Sequence, residues 1–277
     1  MPVADLIYDI GMHRGEDTAL YLSMGYRVVA FEANPDLCAD ARERFADAIA
    51  AGRVTLVEGA IAPGEGTVTF YRHTALTVFG TINPSWVMMH EPFGGSTAMT
   101  VPVVDLAAQI AVTGVPYYMK IDIEGTERYC LEVLRAFEDR PAYVSIQSCQ
   151  TDWRELQHEF DLLDELGYNR FCVVQQEGLN RSVLSTTALD GKPLRHRMEE
   201  HTSGPFGRDL ARWETRRAAL RRYRAIYVLY RLLGDDGTPL RRSRVGLRVI
   251  KRLERSPRVR PLPGWYDTHA RHSSDFD

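Results

Sequence analysis

Hydrophobic and polar positions along the first two-thirds of the chain alternate between two periods. Val3–Ile10 is a nearly continuous apolar run, and Arg27–Glu32 (R-V-V-A-F-E), Arg53–Glu58, Tyr117–Ile123, Ala142–Gln147 and Phe171–Gln175 repeat that character. Apolar residues on successive positions mark strands buried on both faces. Helical segments are predicted between them, from about Glu16 to Gly25, from Asn34-Pro35 to about Ala50, from about Thr126 to Phe137 and from about Trp153 to Leu166. Asn34 suits an N-cap and Pro35 the first helical position. Thr67–Arg72, preceded by a Gly64-Glu65-Gly66 turn, and Met99–Val104 are two further β-rich pieces. The pattern predicts an α/β fold with a doubly wound, mostly parallel sheet covered by helices on both faces. Thr74–Ala98 has no clear period, and a long loop in a compact domain reads as a lid or binding loop.

After about Ser185 the character changes. Asp209–Leu233 and Arg241–Glu254 are arginine-rich helical patterns, and in the first Trp213, Leu220, Tyr223, Tyr227 and Tyr230 form an aromatic stripe. That stripe is expected to pack on the domain with the arginines outside, although such a helix also suits a membrane surface or a contact between copies of the chain. The tail from Arg258, including Gly264-Trp265-Tyr266-Asp267-Thr268-His269, reads as irregular. The expected organisation is a ligand-binding domain over 1–190 and a basic, mainly helical extension over 191–277.

Charge sharpens that division. Residues 1–191 hold 13 Lys and Arg against 27 Asp and Glu, whereas 192–277 hold 21 against 10, leaving a net charge of −3. The extension is therefore suited to the acidic domain or to an anionic partner. With 277 residues, 44% of them hydrophobic and 26% charged, the chain is neither disordered nor collagen-like. Cys38, Cys130, Cys149 and Cys172 form no C-x-x-C pair, which fits a reducing compartment. Neither a secretory signal nor a run of about 18 apolar residues is visible, so a cytoplasmic location is expected.

The chemistry concentrates at the predicted strand ends. Asp9-Ile10-Gly11-Met12-His13-Arg14-Gly15-Glu16-Asp17-Thr18 follows the first strand. In a doubly wound sheet, ligands bind beyond the carboxyl ends of the strands. A dinucleotide site needs a middle glycine to admit a pyrophosphate, and Met12-His13 stand there instead, which favours a cofactor without a diphosphate, such as S-adenosylmethionine. Glu32 closes the second strand, where a carboxylate accepts hydrogen bonds from ribose hydroxyls. Glu58-Gly59-Ala60-Ile61 closes the third, where an adenine would lie. Met119-Lys120-Ile121-Asp122-Ile123-Glu124-Gly125-Thr126-Glu127 runs from a strand into an acidic loop, a poor composition for a core and a good one for a site.

Taken together, Asp9-x-Gly11-x-x-x-Gly15-x-x-Thr18, Phe31-Glu32-x-Asn34-Pro35 and Lys120-Ile-Asp122-Ile-Glu124-Gly125-x-Glu127 resemble the FkbM family of S-adenosylmethionine-dependent methyltransferases. The similarity covers residues 5–135 well and 136–190 loosely. It implies a class I, Rossmann-like methyltransferase fold and O-methylation of a sugar or polyketide hydroxyl. It also implies cofactor contacts at the matched Asp9, Gly11, Gly15, Thr18, Glu32, Asn34 and Asp122, and the strand-end reading adds Met12, His13, Ala33, Gly59 and Ala60 as expected cofactor contacts. Two departures stand out: Met12-His13 replaces the usual Ala-Asn, and Gln147-Ser148-Cys149-Gln150 replaces an acid, an apolar residue and His after the fifth strand.

A hydroxyl that accepts a methyl group must lose a proton, which calls for a base or a metal. Asp122 is expected to touch cofactor or substrate and Glu124 to orient or deprotonate the acceptor, with His73 and His90 beside the irregular loop as alternative bases. No residue cluster has metal-ligand spacing, so no metal is expected, and His269 and His272 read as surface residues. The acceptor is expected to be a small molecule or glycan, anionic in character if the basic extension meets it. A dehydrogenase is disfavoured by the missing glycine. An idle module binding glycans or anions is the alternative from another class, and the absence of a recognised module argues against nucleic-acid methylation.

Overall fold

The computed structural model describes residues 1–149, 152–233 and 264–276. In chain order the elements are β1 (Val3–Ile10), α1 (Glu16–Ser23), β2 (Arg27–Glu32), α2 (Pro35–Arg44), α3 (Ala46–Ala50), β3 (Val54–Glu58), β4 (Ala60–Ile61), β5 (Thr67–His73), α4 (Pro84–His90) and β6 (Ser96–Val104). They continue as α5 (Leu106–Thr113), β7 (Pro116–Ile121), α6 (Glu127–Val133), β8 (Tyr143–Gln147), α7 (Trp153–Glu165), β9 (Tyr168–Gln175), β10 (Val183–Thr187), β11 (Pro193–Arg197), α8 (Arg216–Leu233) and β12 (Tyr266–His272).

The central sheet has the order β3-β2-β1-β7-β8-β12-β9. From β3 to β8 every pairing is parallel. The chain is thus a class I, Rossmann-like α/β fold with a mostly parallel sheet. Leu6, Tyr8, Ile10, Val29 and Phe31 on one face and Ile7, Val28, Ala30 and Tyr118 on the other enter two separate apolar clusters, which is why these strands read as continuous hydrophobic runs. β5 and β6 pair antiparallel in a small sheet beside the β3 edge.

Local chemistry sets the element ends. The Asn34 side chain accepts from Asp36 N at 3.1 Å and starts α2 at Pro35. The segment expected as one helix to Ala50 breaks at Phe45, whose φ of −109° leaves the helical region and separates α2 from α3. Two helices are additional to the expected set. α5 is capped by Asp105, which accepts from Ala108 N at 3.0 Å, and α4 lies inside the irregular stretch, capped by Asn83 accepting from Ser85 N at 3.0 Å.

The largest correction concerns the tail. Tyr266–His272, expected to be irregular, is an interior strand lying antiparallel between β8 and β9. The central sheet therefore runs across the boundary drawn at 190/191. Asp267, Thr268, His269 and Ala270 are all buried, so His269 is not a surface residue, and burial pushes its imidazole down to about 3. Four consecutive buried positions of which three are polar carry no hydrophobic signal; pairing on both edges alone makes this segment a strand. The aromatic stripe of α8 does pack inward: Tyr223 is fully buried and its hydroxyl lies 2.8 Å from Thr268 Oγ1, while Tyr227 donates to Cys149 O at 2.7 Å. The helix expected over Arg241–Glu254 lies outside the described residues. No described helix is long and apolar enough to cross a membrane.

Candidate active site

A cavity of about 440 Å³ opens at the carboxyl ends of the parallel strands. Its first bank is the turn after β1. Gly11 has φ +79°, and a Cβ there would lie 1.8 Å from the Asp122 carbonyl oxygen, so only glycine lets the β1 and β7 tips approach this closely. Gly11 N and Met12 N both donate to Phe31 O, at 3.1 and 3.0 Å, which ties the turn to the β2 tip. His13, at φ +54°, is held by Glu16 through Nδ1 (3.1 Å) and by Thr77 through Nε2 (2.8 Å).

Glu32 is buried at the end of β2, where its two oxygens accept from His13 N at 2.9 Å and Asn34 N at 2.7 Å. Burial pushes its carboxyl up to about 7, against those amides. Each oxygen keeps a second lone pair for a ligand. Beyond it, Ala33, Leu37, Gly59, Ala60, Ile61 and Phe70 make an apolar end of the cavity.

At the β7 tip, Lys120 is a buried cation among acids. It donates to Gly11 O at 2.8 Å and lies 3.2 Å from Asp9, 3.8 Å from Asp17 and 4.0 Å from Asp122. Burial opposes its charge, but Asp9, Asp122 and Asp17 hold it well above the ordinary lysine value. Asp17 is itself pushed up to about 6 by burial, and it accepts from Thr202 Oγ1 at 2.6 Å and from Ser203 N. That contact fixes the 200–203 segment across the start of α1, over the cavity.

Glu124 adopts φ +56°, a conformation that costs a non-glycine residue about 1–3 kcal/mol. It is only 8% exposed, its Oε2 has no hydrogen-bond partner, and burial followed by Asp122 and Glu127 raises its carboxyl well above the usual range. Thr81 donates to its carbonyl oxygen at 2.6 Å, and a Cβ on Gly125 would strike Trp86, so the irregular stretch around α4 is packed onto this tip. Glu127 closes the loop on itself, accepting twice from Gly125 N at 2.8 and 2.9 Å.

Of the residues singled out from sequence, Gly11, Met12, His13, Glu32, Ala33, Gly59, Ala60, Asp122 and Glu124 line the cavity. Asp9, Gly15, Thr18 and Asn34 stand behind it: Thr18 donates to Asp9 at 2.6 Å, and Asn34 caps α2. The Met12 side chain is itself buried, part of the apolar cluster beneath the turn. His90 ends α4, and its side chain lies outside the described residues. His73 is buried under the loop, where its Nδ1 accepts from Leu76 N at 2.9 Å. Among the described residues no three His, Cys, Asp or Glu are grouped to hold a metal ion.

Sequence reasoning missed Gln147, Gln176, Trp265 and Asp267, which line the opposite bank. Asp267 arrives on the polar strand that gave no signal, and Trp265 immediately before it. Gln147 was legible only as a departure from the family pattern.

A family model described as the methyltransferase FkbM domain matches residues 9–170. No curated protein sequence matches the chain. Solved structures similar to it include a precorrin-6y C5,15-methyltransferase from Geobacter metallireducens GS-15, at 15% identity, 71% of this chain, 77% of that one and TM-score 0.36. The O-methyltransferase TomG from Streptomyces achromogenes, involved in tomaymycin synthesis and solved with S-adenosylmethionine, is 14% identical over 68% of this chain and 69% of its own, at TM-score 0.35. An O-methyltransferase from Bacillus cereus, solved with S-adenosylhomocysteine, is 15% identical over 68% and 70%, at TM-score 0.33. Because the family match spans more than half of the chain and begins at Asp9 on the glycine turn, the chain belongs to the FkbM family of S-adenosylmethionine-dependent methyltransferases.

Proposed function

We propose that the protein transfers the methyl group to a hydroxyl of a sugar, glycoside or related natural-product acceptor. The observation that carries this reading is Glu124, a buried carboxyl with an unpartnered oxygen, sharing one cavity with Glu32 and the Gly11 turn. The residues present fit an adenosyl donor. Glu32 has lone pairs free for the ribose hydroxyls, the apolar end around Ala60 and Phe70 suits an adenine, and Gly11 lets the β1 tip, which lines the cavity, close up against the Asp122 carbonyl. S-adenosylmethionine bound there supplies an electrophilic methyl group on a sulfonium.

The chain's own residues position the acceptor and take its proton. Asp122 and Glu124 face the cavity from the β7 tip, where they would hold the acceptor hydroxyl for an in-line transfer. With the methyl donor bound, Glu124 in its ionised form would take the proton of the acceptor hydroxyl through its unpartnered Oε2. The raised proton affinity of that carboxyl makes it a stronger base once ionised.

Calorimetry with S-adenosylhomocysteine, paired with mass spectrometry of sugar, glycoside and phenolic acceptors incubated with S-adenosylmethionine, tests this. The expected result is binding that Glu32→Ala abolishes without loss of fold, and a hydroxyl-methylated product that Glu124→Gln removes. Methylation of nitrogen or carbon acceptors alone would overturn the O-transfer assignment.

A further inference from the structure

The second bank of the cavity carries polar groups that the protein itself does not satisfy. Gln176, immediately after β9, has both amide atoms buried without a partner. Gln147 Oε1, at the end of β8, and Glu124 Oε2, after β7, are in the same state. Asp267 sits opposite Gln147 in the β12–β8 register and is 5% exposed, its carboxyl raised well above the usual range by burial and then by Asp122. Trp265, 44% exposed, completes the wall.

A buried donor or acceptor left unmade costs about 1–3 kcal/mol. Three such side chains from three separate segments converge on one cavity, which folding alone does not explain. A ligand that satisfies them must offer donors and acceptors together. Gln176 presents an amide donor and a carbonyl acceptor, Gln147 an acceptor, and Glu124 either role according to its proton. A ring bearing adjacent hydroxyls, each able to donate and accept, matches that set, and the indole of Trp265 offers an apolar surface to the C–H face of such a ring. A single phenolic hydroxyl would leave most of these atoms unmet.

Charge decides against an anionic ligand. Asp122 already adds to the proton affinity of the buried Glu124 and Asp267 carboxyls, an anion bound beside them would add to that cost, and Lys120 is committed to Gly11 O and three acids. Arg181 lines the rim and is exposed.

We propose that Gln147, Gln176, Trp265 and Asp267 form the acceptor subsite, and that it takes an uncharged, polyhydroxylated ring with one hydroxyl turned toward Glu124. The assignment deepens the methyl-transfer reading and rests on it. Three of the four residues, Gln176, Trp265 and Asp267, lie beyond the 9–170 family match.

The test uses the full chain saturated with S-adenosylhomocysteine, titrated by saturation-transfer NMR with the methyl glycosides of glucose, galactose, mannose and rhamnose. Glucose 6-phosphate and catechol are the contrasting probes. At least one methyl glycoside binds, and Gln176→Leu weakens it by about tenfold or more, the loss of one or two buried hydrogen bonds. S-adenosylhomocysteine affinity stays within about twofold, and the ligand-free variant melts no lower than the parent, because an orphaned buried amide has been replaced by an apolar side chain. Trp265→Ala, at a partly exposed site, repeats the loss of glycoside affinity if the leucine variant misfolds. Binding of glucose 6-phosphate or catechol with no glycoside bound, or glycoside affinity unchanged in both variants, overturns the subsite. Failure to bind S-adenosylhomocysteine would instead strike at the methyl-transfer reading.

Discussion

The two banks of the cavity are built on opposite principles. On the β1–β2–β7 side the polar groups are already engaged within the protein: Glu32 accepts from two backbone amides, Asp9 from Thr18, Asp17 from Thr202 and Ser203, and Lys120 is bound to Gly11 O. On the β8–β9–β12 side, Gln147 and Gln176 present polar atoms with no partner, and Glu124, at the β7 tip, is the exception on its own bank, its Oε2 unpartnered. A preorganised bank suits a ligand that is the same in every turnover, because its geometry is fixed before binding. A bank with unmet groups suits the partner that confers selectivity, because the ligand that satisfies them all is preferred over those that leave some buried and unpaired.

The sharpest way to break this contrast is Lys120→Met. It leaves Asp9, Asp17 and Asp122 without their shared cation, and removing one member of a buried ion pair costs about 3–5 kcal/mol. Urea denaturation should show a loss of that size, and a change under about 1 kcal/mol would mean the bank is not held by charge. Gly11→Ala comes next. The added methyl strikes the Asp122 carbonyl in a left-handed conformation, an expected cost of about 1–3 kcal/mol, with S-adenosylhomocysteine affinity falling as the β1 and β7 tips separate.

The smallest effect is the pH dependence of stability. Glu32 and Glu127 are pushed up to about 7 and Glu159 to about 8, from an ordinary value of 4.5 and mainly by burial. A carboxyl with a raised folded-state value favours the folded protein while protonated in it, and that contribution disappears as pH rises through the folded value. The depressed His269 has no further effect above about pH 6.5, since it is then neutral in both states. The urea midpoint of the ligand-free protein should therefore fall from about pH 6.5 to about pH 8.5. A flat or rising midpoint would show that these carboxyls are ionised in the fold without cost.

The engaged bank was legible in the sequence because its chemistry is local. Gly11, Glu32 and Asp122–Glu124 each follow an apolar run, and a doubly wound sheet sends successive strand ends to one edge. The irregular stretch before Ala98 could be read as covering a site, but not that Trp86 and Thr81 would rest on the Glu124–Gly125 turn. His269 misled for the same reason as Asp267. Polar residues on an interior strand look like surface residues until both neighbouring strands are known.

What the sequence by itself determined is the parallel half of the sheet, the glycine turn and the three acidic strand ends, since hydrophobic period and turn chemistry act over a few residues. The tertiary structure alone decided the place of β12, the burial of Asp267 and His269, and the meeting of Gln147, Gln176 and Trp265. Those follow from pairing between segments far apart in the chain, where a strand is specified by the free edges of β8 and β9 and not by any pattern of its own.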